Sequence, residues 1–224
     1  MLLPRLHRGE KENLIARIRA QRNNKRRYAT HRLVEEMCRE EAFGVDKLGD
    51  VAHVEAITPQ SLWERYQTLL ASAQIELYYC GSAQPERVEQ AMRKALAGLP
   101  QARERLCRSV RWPSTAAQSQ VCGGAAGRDP GQAGHGFRTG GITCWEEDYP
   151  ALTVLNALFG GTTMSRLFLN VREKLSLCYY ASSTLEKMKG LLLVSSGIEF
   201  DKYDTAREEI LSQLESIRRG EIED

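Results

Sequence analysis

Apolar residues recur at the three- and four-residue spacing of a helix face along much of the chain. The clearest instance follows Thr58 and Pro59, where a capping residue and a helix-starting proline precede Leu62, Tyr66 and Leu69. The same pattern predicts helices at residues 10–22, 28–41, 58–70, 85–98, 148–159, 165–174 and 201–219.

Three shorter stretches, Ile75–Cys80, Leu177–Ser183 and Leu191–Ile198, have the length and composition of β-strands. Helices that alternate with strands and glycine turns predict a fold in which helices pack on a sheet. Residues 101–141 interrupt this pattern, because eight of the chain's 18 glycines fall within residues 123–141.

The composition excludes several classes of protein. A chain of 224 residues, 42% hydrophobic and 27% charged, is neither fibrous nor wholly disordered. No apolar run reaches the roughly 18 residues of a membrane helix, and Met1–Gly9 lacks a signal-peptide core. Six cysteines are spread singly, without a C-x-x-C pair. We therefore expect a reduced, cytoplasmic protein with no membrane span.

The charge is unevenly placed along a chain that has 31 basic and 29 acidic residues overall. Residues 1–40 hold eleven Lys and Arg against five Glu. We interpret the cluster Lys25-Arg26-Arg27 as a solvated helix end rather than a phosphate-binding patch, because no aromatic residues are interleaved with it. We expect no nucleic-acid partner, and a nucleic-acid-binding module at residues 5–27 is a remote alternative.

Motifs in the second half of the chain follow one another in a fixed order. Residues 155–161 read LNALFGG, residues 165–168 read SRLF, and residues 171–180 read VREKLSLCYY. In order and spacing they resemble the pitrilysin/insulysin zinc metallopeptidases and the mitochondrial processing peptidases. The stretch EKENL at residues 10–14 and the pair Phe43-Gly44 are similar to a non-catalytic bacterial branch of that family. Members of this branch work beside, or in place of, a catalytic homologue.

This resemblance implies an α+β fold made of parts of two homologous domains, each a β-sheet with helices packed on it. Residues 1–100 would be the C-terminal half of the first domain. Residues 101–136 would be a linker, and residues 137–224 the N-terminal part of the second domain.

The zinc chemistry of active family members has no counterpart in this chain. Active members hold the ion with an H-x-x-E-H helix and a downstream glutamate, but the four histidines of this chain form no such motif. Glu10 matches the first residue of the family's glutamate pair, whereas the ligand position seven residues later is Arg17. A guanidinium has no lone pair to donate. We therefore expect no catalytic residue, no metal ligand and no cofactor in this chain.

Arg172 and Tyr179 match the family's R-x6-Y motif. In active relatives the arginine donates to a backbone carbonyl of the bound peptide, and the tyrosine hydroxyl supports the charged intermediate. The resemblance therefore implies that both bind substrate; a helix-end cation and a strand aromatic are the structural alternatives. Gly160 and Gly161 allow two interpretations, a helix terminator or part of a substrate-contacting loop.

The strand that the family carries just before Phe137 is replaced by a glycine-rich run at residues 122–136. Suitable codons for residues 128–136, read one base later, would encode Val-Thr-Gln-Gly-Lys-Leu-Val-Met, which has the pattern of a strand. A local frameshift is therefore one interpretation of this run, and a natural mobile loop is the other.

These features predict an inactive pitrilysin-family protein that binds peptide and supports a catalytic partner. The partner would be a homologous subunit or a second copy of the chain. The alternative is a working zinc metallopeptidase in which this chain contributes Arg172 and Tyr179 to a composite site.

Overall fold

The computed structural model describes residues 4–99, 119–123 and 131–221. The first five α-helices come before the sheet, and the remaining elements follow β1. The main elements are α1 (Pro4–Ala20), α2 (Lys25–Met37), α3 (Val51–Ala56), α4 (Pro59–Ser72), α5 (Pro85–Leu96), β1 (Gly131–Arg138), α6 (Tyr149–Asn156), a π-helical turn (Ala157–Gly161), a π-helix (Leu167–Lys174), β2 (Cys178–Glu186), β3 (Leu191–Ile198) and α7 (Tyr203–Arg218).

The chain divides into two compact units. The first unit consists of Met1–Ala16 and Asp50–Val110, and the second unit consists of Arg17–Gly49 and Arg111–Asp224. The homologous domain parts, with boundaries at residues 100 and 137, remain a prediction.

The second unit is built on a three-stranded antiparallel sheet with the strand order β1-β3-β2. The turn between β2 and β3 ends at Gly190, whose φ of 69° is in the left-handed region that favours glycine. Successive side chains of β3 point to opposite faces of the sheet. Leu191 and Leu193 pack with Cys38 and with residues of α2, whereas Leu192 belongs to the main core on the opposite face. Both faces of β3 are therefore covered, which explains its continuous apolar run.

The main core lies between the sheet, the π-helix and α7. Phe159, Leu167, Val171 and Ile210 are fully buried there. Phe159, Leu167 and Val171 belong to the family motifs, so these motifs contribute directly to the core. The arrangement of a sheet with helices packed on it confirms the predicted α+β fold.

A buried ionic cluster joins the segment after α2 to the sheet. The Glu41 carboxylate accepts a hydrogen bond of 2.6 Å from Arg138 Nη2 and pairs with Lys189 Nζ. The side chains of Glu41, Arg138 and Lys189 are 7%, 9% and 2% exposed. Arg138 Nη2 also donates to the Met37 carbonyl at 2.7 Å. A charged group this deeply buried is stable only when it is paired.

Strand β1 is formed by part of the glycine-rich run. Gly134 and Gly136 lie against α2: a Cβ atom at Gly134 would meet Leu33 Cδ2 at 3.1 Å, and one at Gly136 would overlap the Met37 side chain. The interpretation as a mobile loop is therefore wrong for residues 131–136, because pairing with β3 holds them in a strand. Residues 124–130 lie outside the described residues, and the frameshift remains a hypothesis.

The first unit contains the helix predicted after Thr58, which is α4. The Thr58 and Ser61 side chains form a capping box at its start. The strand predicted at Ile75–Cys80 is wrong, since these residues form no strand. A strand needs a partner to accept its backbone hydrogen bonds, and the described part of this unit contains no strand.

Apolar side chains of the first unit are largely exposed. Among its described residues Val54 is the one buried side chain. The exposed apolar residues come from α4 and from the segment that follows it, and we call them the apolar surface of the first unit. They are Leu62, Trp63, Tyr66, Leu69, Ile75, Leu77, Tyr78 and Tyr79.

Candidate functional site

Arg172 lies near the end of the π-helix. Its guanidinium carbon is 4.6 Å from the centre of the Phe168 ring, and its Nη1 is 3.4 Å from Glu173 Oε1. The side chain is 39% exposed. The stacking on Phe168 holds the cation in place, while its exposure leaves N–H groups available to a ligand.

Tyr179 is the second residue of β2, at a point where the pairing with β3 shifts between Cys178 and Tyr180. Such a bulge re-aims a side chain away from the regular ladder, and Tyr179 is 59% exposed. Its hydroxyl donates a hydrogen bond of 3.4 Å to Glu199 Oε1. A hydrogen bond from Lys202 and, to a smaller extent, the one from Tyr179 lower the pKa of the Glu199 carboxyl. Glu199 therefore accepts these bonds as a carboxylate.

A surface groove of about 370 Å³ lies beside Arg172. Its wall contains Tyr180 rather than Tyr179, and Arg26 faces the groove from α2. The structure therefore places Arg172 in a groove lining and Tyr179 on a neighbouring exposed position beside Glu199.

Arg26 belongs to the groove lining, although in the sequence it is only one of three residues in a basic cluster. Its guanidinium carbon lies 4.3 Å from the centre of the Tyr180 ring, and its Nη2 donates to Ser182 Oγ at 2.7 Å. The Tyr180 hydroxyl in turn donates to Gln132 Oε1 and is 3.1 Å from Ser195 Oγ. No local signal could have identified Arg26, because its partner Ser182 is 156 residues away in the sequence.

Gly160 lies in the π-helical turn Ala157–Gly161, which directly follows α6. It packs directly on β2. A Cβ atom there would meet the Ser183 amide nitrogen at 2.7 Å and Leu167 Cδ1 at 2.8 Å. Only glycine permits this close approach. Gly161 lies next to it in the groove lining, so the two glycines close the helix and also form part of the groove.

A second groove of about 290 Å³ shares Arg26 and Ser182 with the first groove. The described residues that line the two grooves include guanidinium, amide and hydroxyl groups but no carboxylate, histidine or cysteine. Such a lining donates hydrogen bonds to carbonyl or carboxylate oxygens. It offers neither a nucleophile with its base nor a set of metal ligands.

Cys178 lies between Arg172 and Tyr179 in the sequence, but its chemistry is that of a core residue. Burial raises the pKa of its thiol to about 11, although the charge of Arg172 opposes the rise. The thiol is therefore protonated at neutral pH and is not a reactive nucleophile.

The residues at the family's zinc position do not fit a zinc ion. Glu10 and Arg17 are both exposed on α1, and Arg17 supplies a positive charge where a ligand would be needed. A different group of residues, His31, Glu35 and Asp46, places possible ligand atoms within 4.8 Å of one another. It belongs to neither groove.

No helix in the described ranges combines the length and the apolar character that a membrane crossing requires.

Comparison with known proteins agrees with this geometry. The sequence profile of the peptidase M16 inactive domain matches residues 56–224. The probable inactive metalloprotease YmfF of Bacillus subtilis (strain 168) is 36% identical over 215 residues, which are 95% of this chain and 49% of that protein.

Two solved structures have a similar fold. A conserved protein from Enterococcus faecalis V583 superposes with a TM-score of 0.80 and 28% identity, over 97% of this chain and 51% of that chain. A peptidase M16 inactive domain from Pseudomonas fluorescens gives a TM-score of 0.66 and 18% identity, over 96% and 52% of the two chains. This chain thus spans about half the length of the relatives that it matches. The resemblance to the pitrilysin-type peptidases is confirmed: the chain belongs to the peptidase M16 family and fits its non-catalytic bacterial branch.

Proposed function

We propose that this chain binds peptide through Arg172 and Tyr179 and supports a catalytic homologue, without zinc chemistry of its own. The observation that carries the proposal is the Arg172 guanidinium, which is held over Phe168 and yet faces a groove lined by donors. A peptide in extended conformation presents unpaired carbonyl oxygens, which such donors can bind.

The charge of the groove favours one kind of peptide. Arg26 and Arg172 both face it, and no carboxylate stands among its described lining residues. Peptides with acidic side chains should therefore bind more tightly than basic ones, because guanidinium groups pair with carboxylates.

The apolar surface of the first unit supports a protein partner. Exposed aromatic and aliphatic side chains on one unit are typical of a surface that another protein covers. The segment 75–80 has the sequence of a strand but no pairing partner in the described part of its unit, so a homologous subunit could add a strand to it. We propose such a subunit as the partner.

A cytoplasmic location is part of the same proposal. Five cysteines in the described residues, Cys38, Cys80, Cys122, Cys144 and Cys178, are free thiols. Free thiols are usual in a reducing compartment.

Peptide binding is tested by fluorescence anisotropy with a labelled acidic peptide. Replacing Arg172 with Ala removes a charge-assisted hydrogen bond worth roughly 1.5–3 kcal/mol, so the Kd should rise about tenfold or more. The control is Arg218→Ala, because Arg218 is also an exposed helical arginine with a neighbouring carboxylate but lies outside the groove lining. Equal affinity in the wild type and Arg172→Ala would return Arg172 to a purely structural role.

Catalytic support is tested by peptide cleavage with added zinc. The isolated chain should not cleave, whereas its addition to a catalytic M16 homologue should raise the cleavage rate in a manner that depends on Arg172. Chelator-sensitive cleavage by the isolated chain would instead establish the working metallopeptidase.

A further inference from the structure

His31, Glu35 and Asp46 lie close to one another in the second unit. His31 and Glu35 are one turn apart on α2 and therefore project from the same face, and Asp46 follows in the loop after it. His31 Nδ1 is 3.6 Å from Glu35 Oε1, and His31 Nε2 is 3.6 Å from Asp46 Oδ2. The side chains are 33%, 23% and 14% exposed, so the group is half-buried but open to an ion from solvent.

The separations between the imidazole and the two carboxylates are longer than hydrogen bonds. Donor and acceptor atoms in hydrogen bonds lie about 2.7–3.2 Å apart, and both imidazole distances exceed this range. Ligands placed about 2.1 Å from a tetrahedral ion are separated by roughly 3.4 Å. One ligand atom from each of the three residues lies within 4.8 Å of the others. Because the two carboxylates face different nitrogens of His31, one of them would rotate toward the nitrogen that binds the ion.

The carboxylates are oriented by donors of the protein. Asp46 Oδ1 accepts from the Leu48 amide at 2.7 Å, and Asp46 Oδ2 accepts a longer bond of 3.3 Å from Gln21 Nε2. Glu35 Oε2 accepts from Arg32 Nη1 at 2.7 Å, which leaves Oε1 facing His31. Donors of this kind fix metal-binding carboxylates in known sites.

We propose that His31, Glu35 and Asp46 bind a divalent transition-metal ion, with Zn²⁺ as the best fit. One imidazole nitrogen and two carboxylate oxygens form a donor set that suits zinc and leaves its fourth position to water. The imidazole disfavours Mg²⁺ and Ca²⁺, which prefer oxygen ligands. The bound ion connects α2 to the loop that contains Asp46. This site is independent of the peptide-binding proposal.

Calorimetric titration of the metal-free chain with ZnCl₂ tests the site. The wild type should bind one zinc ion at these residues, and His31→Ala and Asp46→Asn should each weaken binding at least tenfold. His53→Ala is the matched control, because His53 also pairs with a carboxylate, that of Asp50, but does not belong to the group; its titration should match the wild type. Excess MgCl₂ should not compete.

Visible absorption of bound Co²⁺ provides a readout that does not depend on stability. An imidazole-carboxylate site should give a tetrahedral Co²⁺ spectrum that is lost in His31→Ala, even if that variant unfolds more easily. Two results would overturn the proposal: no zinc binding below a Kd of about 1 mM, or zinc binding that His31→Ala leaves unchanged, as ions held by exposed thiols would be. In either case the three side chains would be a polar surface cluster that holds no metal ion.

Discussion

Replacing Glu41 with Gln should destabilise the second unit strongly. The substitution keeps the size of the side chain but removes the negative charge between Arg138 and Lys189. Both cations would then stay buried and would lose their attraction to this carboxylate. Because the three side chains are less than a tenth exposed, solvent would compensate little of the lost interaction.

The magnitude follows from the geometry of the cluster. At the 2.6 Å separation of Arg138 Nη2 and Glu41 Oε1, unit charges in an effective dielectric constant of about 20 attract each other by roughly 6 kcal/mol. Much of this attraction offsets the cost of removing the charges from water. Loss of one partner from such a buried pair nevertheless costs about 3–5 kcal/mol, because the attraction is lost while the cost of burying the remaining charge stays. We expect that loss in the free energy of unfolding at pH 7.

Urea denaturation of the wild type and the variant measures the effect, with Glu40→Gln as the control. Glu40 is the exposed neighbour, so its substitution should change the free energy of unfolding by less than about 0.5 kcal/mol. A loss below about 1 kcal/mol for Glu41→Gln would refute the reasoning and would mean that the cluster is hydrated.

The same cluster predicts a dependence on pH. Burial by itself raises the pKa of Glu41, but hydrogen bonds from Lys189 and Arg138 outweigh it and hold the pKa below its usual value of 4.5. A lowered carboxyl pKa stabilises the fold above the unfolded-state pKa, and this stability is lost as the pH falls through the folded-state value. The wild type should therefore lose its advantage over Glu41→Gln in acid.

Two further predictions concern buried titratable groups. Burial and, to a smaller extent, the charge of Arg207 lower the pKa of His135, and its ring nitrogens have no hydrogen-bond partner among the described residues. Stability should therefore fall as the pH drops below about 6.5. Urea midpoints at pH 7.5 and 5.5 test this, and an equal shift in His135→Leu would exclude His135 as the cause. Because the Cys178 thiol has a pKa of about 11, it should react with a thiol reagent at pH 8 far more slowly than the exposed Cys80 and Cys122. Mass mapping of the labelled sites checks this, and comparable labelling of all three would mean that Cys178 is accessible.

Local patterns in the sequence were sufficient to predict most helices and the two strands β2 and β3. The start of α4 was predictable because Thr58 caps its own helix within four residues. The apolar run of β3 likewise indicated a strand, and the structure shows that both of its faces are covered.

Features that depend on distant partners could not be predicted in this way. Ile75–Cys80 has strand composition, but strand formation depends on a pairing partner that composition does not reveal. Arg26 joined the candidate site through Tyr180 and Ser182, and a helical basic cluster gives no indication of such contacts. Arg172 and Tyr179 were identified by the family motif, whereas the bulge that separates Tyr179 from the groove lining is a property of the sheet pairing.

The glycines of β1 make the pairing of β1 with β3 weaker than the pairing of β2 with β3. β1 pairs with β3 along its full length, but glycine adds no side-chain contact between strands and loses more backbone entropy when it is ordered. Its Arg138 end is tied to Glu41, whereas its Gly131 end has no comparable ion pair in the described residues. Local opening should therefore begin at Gly131 and travel toward Arg138, so that amide hydrogens of β1 exchange with solvent before those that join β2 to β3.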